Sequence, residues 1–486
     1  MAEHIWQVIN ILIVINTIGA IITVFRQRNR DIASVWAWLL VLVLLPGIGF
    51  IIYVFLGRKI SGKDIYNLQR QIEVGLPHYL EEHEEDAKYQ HTMFTFYRHF
   101  RGPHVDLANM LLEVGNSTLT TDNDVEMITD GKEKFSRLLE DLERAEHHIH
   151  ICYYIFRSDN LGSKILRILE RKAQEGVEIR FLYDPFGTRS LKKSKLKRLI
   201  KLGGEVETSF GESVHLLNFR LNYRNHRKIV IIDGKVGYTG GFNVGDDYLG
   251  KYPKMGYWRD THLRIVGDAV RHLQARFLID WNASIQSDPV RYDDIYFPKA
   301  DKSGNTNVQI VASGPDSEMQ AIKKGFLKMI SMAQESVYIQ TPYLIPDDAL
   351  METLQIAIHS GVDVKIMIPN KPDHPFIYRA TLSYASELVD AGASIYIYDV
   401  GFIHAKTIVV DDMLLSVGTS NFDIRSFKLN FEINCFIYDE DLAKEQSRIF
   451  KEDCQHSYLL TPEKVRNFSW WEKFKQQFSR LLSPIL

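Results

Sequence analysis

The most informative part of the sequence is the stretch Asn225-His226-Arg227-Lys228-Ile229-Val230-Ile231-Ile232-Asp233. Its pattern of His, Lys and Asp is repeated later in the chain by His404, Lys406 and Asp411. A His and a Lys two residues apart on a strand point to the same face of a sheet. Each copy therefore presents one imidazole, able to act as nucleophile or as acid and base, beside one ammonium group. Two such faces brought together would suit reaction at a phosphate diester.

A matching turn follows each copy of this pattern. The turns contain Gly240, Gly241 and Asn243 in the first copy, and Gly418, Ser420 and Asn421 in the second. A single His-x-Lys is common, and most such histidines are merely surface or core residues. Two copies with equal spacing to Asp and with matching turns indicate two related catalytic halves.

The composition is that of a globular protein with room for several domains. Of the 486 residues, 45% are hydrophobic and 24% are charged, and the net charge is -3. This balance argues against a protein that binds nucleic acid over a broad basic surface. Cys152, Cys435 and Cys454 are far apart and form no Cys-x-x-Cys pair. We therefore expect free thiols and no thiolate metal site.

Two apolar segments near the N-terminus predict a membrane anchor. Residues 5–25 carry no charge and are long enough to span a bilayer, and a second apolar run, 33–56, follows a short arginine-rich loop. A cleaved signal peptide is the competing interpretation, but the first run is too long for one and lacks a basic start. We therefore expect a two-helix transmembrane hairpin. The arginines between the two runs and the basic residues after the second lie on opposite sides of the membrane, so the charges do not agree on the orientation; Arg58, Lys59, Lys63 and Arg70 favour a cytoplasmic position for the rest of the chain.

Beyond the hairpin the sequence contains an internal repeat. The strand-like run 148–154 corresponds to 336–342, and the run 176–182 corresponds to 361–367. Helical patterns alternate with these strands, which is typical of an α/β structure with a central sheet in each half. A polar segment, 284–307, separates the halves. The predicted organisation is an anchor at 1–60, a charged helical connector at 61–115, and two domains at 116–290 and 305–486.

The duplicated motif resembles the signature of the phospholipase D superfamily, which is His-x-Lys, four residues, Asp, and then a small-residue turn with Asn. With its N-terminal hairpin, almost the whole chain is similar to bacterial cardiolipin synthases. Further matching strings are Tyr257-Trp258-Arg259-Asp260 and Asn421-Phe422-Asp423-Ile424-Arg425-Ser426-Phe427. The resemblance implies an α/β fold with two duplicated phospholipase D-like α/β/α sandwich domains behind the hairpin, in a bacterial cell membrane.

The chemistry needs cations to hold the phosphate oxygens, and Lys228 and Lys406 would do this, with the side-chain amides of Asn243 and Asn421 adding hydrogen bonds. One imidazole would attack phosphorus and form a phosphohistidine. The other would protonate the leaving alkoxide and then activate the acceptor hydroxyl. By analogy with the family, His226 is the nucleophile and His404 the acid and base, although the symmetry of the motifs leaves this open. Because two ammonium groups supply the charge, we expect no metal and no cofactor.

A nucleophilic histidine needs its other ring nitrogen held by an acceptor. The resemblance implies an acidic residue downstream of each motif, and the candidates are Asp260 after the first and Glu432 after the second. The motif aspartates Asp233 and Asp411 follow hydrophobic strands and precede turns. Within the catalytic motifs we therefore assign them a structural, hydrogen-bonding role.

The C-terminus carries a further membrane signal. Its large apolar residues fall broadly on one helical stripe: Phe468, Trp470, Trp471, Phe474, Phe478, Leu481 and Leu482. Such a helix with basic flanks suits a membrane interface, whereas docking on the protein's own core is the alternative. The basic run 192–201 could likewise hold lipid headgroups or could be a solvated helix face.

The resemblance implies a phosphatidyltransferase that joins two phosphatidylglycerol molecules into cardiolipin and releases glycerol. Its expected partners are phosphatidylglycerol, other anionic phospholipids and the membrane, with no nucleic acid. One alternative is a membrane-anchored phospholipase D that hydrolyses phospholipid to phosphatidic acid. A phosphodiesterase or nuclease, and a non-catalytic membrane scaffold, are the remaining alternatives.

Overall fold

In the computed structural model the described residues are 103–209, 223–299, 303–317, 319–371 and 373–483, with short pieces before residue 103. The chain divides into two compact units, Met1–Ile65 with Glu212–Tyr223, and Tyr66–Gly211 with Arg224–Leu486. The second unit contains both repeats. They therefore form one body.

The first unit contains two described helices, α1 (Ile32–Leu44) and α2 (Ile48–Ile52). The first predicted membrane span, 5–25, lies outside the described residues apart from a few positions, and most of the charged connector, 61–102, does so as well. Within the described part of the chain, no helix combines the length and the apolarity that crossing a membrane requires.

The second unit alternates helices and strands. Its helices are α3 (Pro103–Gly115), α4 (Gly131–Glu143), α5 (Asn160–Gln174), α6 (Lys193–Lys201), α7 (Ala269–Ser284), α8 (Ala321–Met332), α9 (Asp348–His359), α10 (Pro375–Ala391), α11 (Ile424–Lys428), α12 (Glu440–Gln455), α13 (Pro462–Arg466) and α14 (Trp470–Leu481). Its strands are β1 (Leu119–Asp130), β2 (His148–Tyr153), β3 (Glu178–Tyr183), β4 (Glu205–Thr208), β5 (Arg224–Asn225), β6 (Ile229–Ile232), β7 (Val236–Gly240), β8 (Tyr257–Gly267), β9 (Thr306–Ser313), β10 (Ser336–Gln340), β11 (Leu344–Ile345), β12 (Asp363–Pro369), β13 (Ser394–Tyr398), β14 (Gly401–Ile403), β15 (Thr407–Val410), β16 (Leu414–Gly418), β17 (Phe422–Asp423), β18 (Asn430–Tyr438) and β19 (Ser457–Leu459).

The two halves have the same strand order. In the first half the order is β4, β3, β2, β6, β7, β8, β1, and in the second it is β13, β12, β10, β15, β16, β18, β9. In each half three neighbouring strands are parallel and the rest antiparallel. Strand β1 pairs with β9, which joins the halves side by side. This order confirms the predicted duplication.

Each sheet is covered on both faces, as the unbroken apolar run of β6 requires. Val230 and Ile232 pack with the helices α4, α5 and α6 on the outer face. Ile229 and Ile231 face a shared inner core that contains Trp281 of α7 and strands of both halves. The second half repeats the arrangement, with α8, α9 and α10 on the outer face. The predicted α/β layer structure with helices on both sides is therefore present.

The motif aspartates close equivalent turns in the two halves. Asp233 has φ 54°, and its carboxylate accepts hydrogen bonds from the backbone N–H groups of Glu146, His147 and His148 at 2.7–2.9 Å. Asp411 has φ 52° and accepts from the N–H groups of 334–336 in the same way. Asp tolerates this left-handed backbone better than most residues. Each carboxylate therefore ties the end of one central strand to the start of its neighbour.

Candidate active site

Both His-x-Lys motifs lie in short extended links, and not within strands as the sequence predicts. Residues 226–228 join β5 to β6, and residues 404–406 join β14 to β15. The interruption has a physical cause, because β5 pairs with β18 of the other half whereas β6 pairs with β2 and β7 of its own. The chain changes partners at the motif. Likewise, β14 pairs with β8 of the first half before β15 returns to β10.

Each catalytic-type histidine is anchored by the other half of the protein. The backbone N–H of His226 donates to the carbonyl of Phe431 at 3.0 Å, and that of His404 donates to the carbonyl of Arg259 at 2.7 Å. Phe431 is followed by Glu432, and Arg259 is followed by Asp260, so each of these backbone bonds lies next to one of the two predicted acids. The strand pairing therefore delivers Glu432 to the first histidine and Asp260 to the second.

The acid partners are crossed between the halves. His226 Nδ1 lies 2.9 Å from Glu432 Oε2 and 3.0 Å from Oε1, and His404 Nδ1 lies 2.6 Å from Asp260 Oδ2. The sequence placed each acid after a motif, but each one contacts the histidine of the opposite motif. A carboxylate at Nδ1 fixes the proton there and leaves the Nε2 lone pair available for reaction. Neither half therefore contains a complete histidine–acid pair.

The two carboxylates are supported differently. Thr419 Oγ1 donates to Glu432 Oε2 at 2.5 Å and Asn430 Nδ2 donates to Oε1 at 3.2 Å. Asp260 Oδ1 instead accepts a hydrogen bond from the backbone N–H of Thr261 at 2.8 Å. Gly241, at the position equivalent to Thr419, lies against Asp260, where a Cβ would come within 1.8 Å of Oδ1. The duplicated site is therefore asymmetric in its supporting contacts.

The two lysines lie inside the site and bond back to the motif. Lys228 Nζ donates to the carbonyl of His226 at 2.6 Å, and Lys406 Nζ donates to the carbonyl of His404. Burial lowers the pKa of Lys228 to about 7 and that of Lys406 to about 8, although the carboxylates of Glu432 and Asp260 oppose the effect. An anion that enters the site would therefore raise the pKa of each lysine and stabilise its ammonium form.

Electrostatic coupling shows that the two motifs share one site. Burial lowers the pKa of His226 to about 4; Glu432 opposes the shift, and Lys228 and, across the site, Lys406 strengthen it. Burial also lowers the pKa of His404 to about 4, with Lys406 and Lys228 adding to the shift. Burial would raise the pKa values of Glu432 and Asp260, but the facing histidines and lysines outweigh it and lower both. Both imidazoles are therefore neutral at neutral pH.

Two aromatic rings that the sequence did not single out contact the histidines. The ring of Tyr154 lies 4.8 Å from that of His226, and the ring of Trp258 lies 5.2 Å from that of His404. The preceding residue, Tyr153, is buried in the core, where its hydroxyl accepts a hydrogen bond from Lys134 Nζ at 2.9 Å. Tyr154 follows the last residue of β2, and its place at a strand end is the signal that could have identified it.

Buried ion pairs flank both motifs and were also missed by the sequence. Arg227 donates to both oxygens of Asp280 at 2.9 and 2.7 Å, and Arg259 Nη2 lies 2.9 Å from Asp453 Oδ2. Arg227 lies within the first motif, whereas the equivalent position in the second is Ala405. Breaking a buried pair of this kind is strongly destabilising. We assign these pairs to the framework that holds the motifs.

The two predicted amides are engaged by the surrounding loops. Asn243 Oδ1 accepts the N–H of Ile155 at 3.1 Å, and Asn421 Nδ2 donates to Asp423 Oδ2 at 3.0 Å. Asn421 Oδ1 is buried with no hydrogen-bond partner. Burial raises the pKa of Asp423 to about 6, although Ser426 and Asn421 oppose that shift by hydrogen bonding. Both amides therefore position the loops that follow the motifs.

The other predictions about reactive groups have these outcomes. Cys152 and Cys435 are buried free thiols and Cys454 is a partly exposed one. Across the described ranges, no group of three or more His, Cys, Asp or Glu side chains is arranged to hold a metal ion. His148 and His150 lie in a buried network around Gln274.

Comparison with known families gives two matches in this chain. The family described as "Cardiolipin synthase, PLD-like domain" matches residues 138–281 and 326–454, which contain the two motifs. The family described as "Phospholipase_D-nuclease N-terminal" matches residues 14–58.

Similar proteins and structures agree with these matches. The chain is 51% identical over 476 residues to a cardiolipin synthase of Listeria innocua, and 49% identical over 478 residues to the major cardiolipin synthase of Bacillus subtilis, covering 98% of each chain in both cases. The crystal structure of phosphatidylserine synthase from Haemophilus influenzae is similar in fold, with a TM-score of 0.58 at 17% identity, over 78% of this chain and 100% of the other.

Proposed function

Since this chain belongs to the cardiolipin synthase family of phospholipase D-like proteins, we propose that it transfers a phosphatidyl group from one phosphatidylglycerol to another and releases glycerol. The observation that carries the proposal is the crossed pair of histidine–acid contacts, which creates one site with two neutral imidazoles and two buried ammonium groups. A diester phosphate placed between the two Nε2 atoms would meet a nucleophile on one side. Its negative charge would raise the pKa of the imidazole on the other side, which would then be a proton donor.

In the first step His226 Nε2 attacks phosphorus and the bond from phosphorus to the glycerol oxygen breaks. Protonated His404 gives its Nε2 proton to that oxygen, so that neutral glycerol leaves. Both Asp260 and the bound phosphate anion favour the protonated form of His404. Glu432 stabilises the positive charge on the phosphohistidine ring through Nδ1–H.

In the second step neutral His404 takes the proton of a hydroxyl on the second phosphatidylglycerol. The resulting alkoxide attacks phosphorus, the bond from phosphorus to His226 breaks, and cardiolipin is formed. Lys228 and Lys406 balance the charge on the phosphate oxygens in both transition states. The step returns His226 to its neutral form and His404 to its protonated form.

We also propose that the enzyme contacts the membrane through α14. This helix places polar residues against the protein: Gln477 Nε2 donates to Ser383 Oγ at 3.3 Å and Arg480 to Glu387 Oε2 at 2.7 Å, both on α10. Its large apolar side chains are exposed instead, and the exposed fractions of Trp470, Trp471, Phe474, Phe478 and Leu481 range from 49% to 78%. An exposed aromatic face with basic flanks favours a membrane interface over docking on the protein core.

The N-terminal segment supplies the second membrane contact in this proposal. The match of residues 14–58 to the N-terminal family and the uncharged runs in this region support a two-helix anchor. We place the enzyme in a bacterial cell membrane with its catalytic halves on the cytoplasmic side, because basic residues follow the second run. Labelling of Cys454 by an impermeant thiol reagent in intact and permeabilised cells tests the orientation, and labelling in intact cells would contradict it.

Product analysis tests the proposed reaction. Purified protein is incubated with phosphatidylglycerol in mixed micelles, beside His226→Ala, His404→Ala and the control His359→Ala, which changes an exposed histidine of α9. We expect cardiolipin and glycerol in equal amounts from the wild type and the control, and neither from the two site variants. Phosphatidic acid as the main product would instead indicate a hydrolase, and turnover of nucleic acid in place of lipid would indicate a nuclease.

A further inference from the structure

A cationic cluster lies beside His226 and is not used by the chemistry described above. Arg224 and Arg189 both stack on the ring of Phe186, each with its guanidinium carbon 3.6 Å from the ring centroid. Phe186 and Arg189 are exposed to solvent, whereas Arg224 is buried. The cluster therefore leads from the protein surface to β5, the strand directly before the first motif.

A third arginine joins this cluster from the second half of the protein. Strand β18 pairs with β5 in the register Asn430 to Arg224, and α11, which carries Arg425, ends two residues before Asn430. Burial lowers the pKa of Arg224, Asp184 opposes the effect, and Arg425 and Arg189 lower it further. The guanidinium groups of Arg189 and Arg425 therefore both lie within electrostatic reach of that of Arg224, as does the carboxylate of the buried Asp184.

Asp184 holds the backbone around the cluster in place through hydrogen bonds. Its Oδ1 accepts the N–H groups of Phe186 and Gly187 at 2.9 Å, and its Oδ2 accepts the N–H of Asn225 at 2.9 Å. These bonds fix the loop that carries Phe186 against β5. Asp184 therefore holds Phe186, and with it the two stacked guanidinium groups, next to β5.

The cluster is close to the reacting phosphate. Arg224 and His226 are two residues apart in extended backbone, so their Cα atoms are about 7 Å apart and their side chains leave the same face. Tyr154 connects the two sites. Its ring contacts His226, and burial raises the pKa of its hydroxyl while the nearby guanidinium groups of Arg224 and Arg425 oppose that rise. A molecule with two phosphates joined by one glycerol could therefore reach both sites.

The cluster occurs on one side of the duplicated fold. The positions equivalent to Arg224 and Arg425 are Phe402, which is buried against Trp258, and Asp247, which pairs with Arg157. The two phosphatidylglycerol molecules of the proposed reaction also differ. The donor loses a neutral glycerol, whereas the acceptor hydroxyl belongs to a glycerol that still carries a phosphate.

We propose that Arg189, Arg224 and Arg425 bind the unreacting phosphate of the acceptor phosphatidylglycerol, next to the phosphohistidine at His226. This inference rests on the proposed function. It assigns a binding site to the second phosphatidylglycerol of the proposed reaction. Charge-assisted hydrogen bonds from guanidinium groups are well suited to phosphate oxygens. The cluster would favour attack by a lipid hydroxyl over attack by free glycerol or water.

Two reactions of the full-length protein separate this role from donor binding. Cardiolipin formation from phosphatidylglycerol in mixed micelles needs both lipids. Exchange of labelled glycerol into phosphatidylglycerol needs the donor site and both histidines, but its acceptor is neutral. Arg224→Gln and Arg425→Gln are compared with Arg448→Gln, which removes an exposed arginine of α12.

We expect each cluster variant to need about tenfold more phosphatidylglycerol for half-maximal cardiolipin formation, since a hydrogen bond to a charged group typically accounts for a factor of this size. Glycerol exchange should stay within twofold of the wild type, and Arg448→Gln should change neither reaction. An equal loss of both reactions, or no change in either, would overturn the inference. Wild-type protein that exchanges glycerol but never forms cardiolipin would overturn the proposed function, and the acceptor site with it.

Discussion

His226 of the first half and Glu432 of the second half are joined by a contact of 2.9 Å between Nδ1 and Oε2. Because the reciprocal contact joins His404 to Asp260, neither repeat holds a complete histidine–acid pair. The parallel pairing of β5 with β18 and of β14 with β8 sets both contacts. The halves of this protein therefore depend on each other for the geometry of the proposed active site as well as for their shared core.

Replacing Glu432 by Gln should impair His226 while leaving the fold intact. The amide keeps the shape of the side chain but loses the charge that stabilises a positive ring at His226. We expect kcat for cardiolipin formation to fall by about 10²–10⁴-fold, in line with removal of the carboxylate from other histidine–acid pairs. Steady-state kinetics and a thermal melt check this prediction. A variant that keeps full activity would show that the crossed contact has no catalytic role.

The rate should depend on pH in a bell-shaped manner. His226 must be neutral to attack, and its pKa is lowered to about 4, so activity is lost as the pH falls through that region. Lys228 and Lys406 must be charged, and their pKa values are lowered to about 7 and about 8, so activity is lost as the pH rises through those values. The bound phosphate anion raises the pKa of His404 and of both lysines. The profile of kcat against pH, which reports the enzyme with substrate bound, therefore measures both limbs, and the alkaline limb should lie at or above these values.

The alkaline limb can be assigned with a variant. Lys228→Arg places a group that cannot lose its proton at the position with the lower pKa. Whatever its absolute activity, the variant should keep its relative kcat to a higher pH than the wild type. If its alkaline limb lies at the same pH as in the wild type, Lys228 does not control that limb.

Asp233→Ala should destabilise the protein more than it changes the chemistry. The substitution removes a carboxylate that accepts three backbone N–H groups and leaves a backbone with positive φ that alanine adopts poorly. We expect the free energy of unfolding to fall by about 2–4 kcal/mol. Asp124→Ala, on the exposed face of β1, is the control and should cost less than about 0.5 kcal/mol. Equal effects of the two substitutions in denaturant titrations would contradict the turn-closing role.

The exposed face of α14 should enter the lipid phase. Trp470 and Trp471 are 66% and 61% exposed, so lipid contact can be detected by quenching of their fluorescence. In nanodiscs with brominated phosphatidylglycerol, we expect quenching of the wild type to exceed that of the Trp470→Phe/Trp471→Phe double variant. Unbrominated nanodiscs are the control. Equal quenching of both proteins by brominated lipid would place this face away from the membrane.

The sequence was sufficient to predict the duplication, because the spacing of His, Lys and Asp is local in each copy. It also gave Asp260 and Glu432 as candidates. The crossed pairing could not be predicted from the sequence. It depends on the pairing of β5 with β18 and of β14 with β8, each of which joins strands from different halves. The same exchange explains why the motifs lie in links between strands.

Other parts of the site depend on packing that no local pattern encodes. Tyr154 and Tyr153 are neighbours of the same type, and only the end of β2 decides which one faces His226. The pair formed by Arg259 and Asp453 joins residues far apart in the chain. For α14 the apolar stripe was predicted, but the finding that its polar face packs on α10 required the tertiary structure.

Trapping of the covalent intermediate tests the central claim most directly. A phosphatidyl ester of p-nitrophenol has a leaving group that needs no proton, so the first step should survive in His404→Asn while the second, which needs a base, should not. We predict a burst of one p-nitrophenol per active site in this variant, with the phosphatidyl group on the peptide that contains His226, and no burst in His226→Asn. A burst in His226→Asn with the label on His404, and none in His404→Asn, would contradict the account.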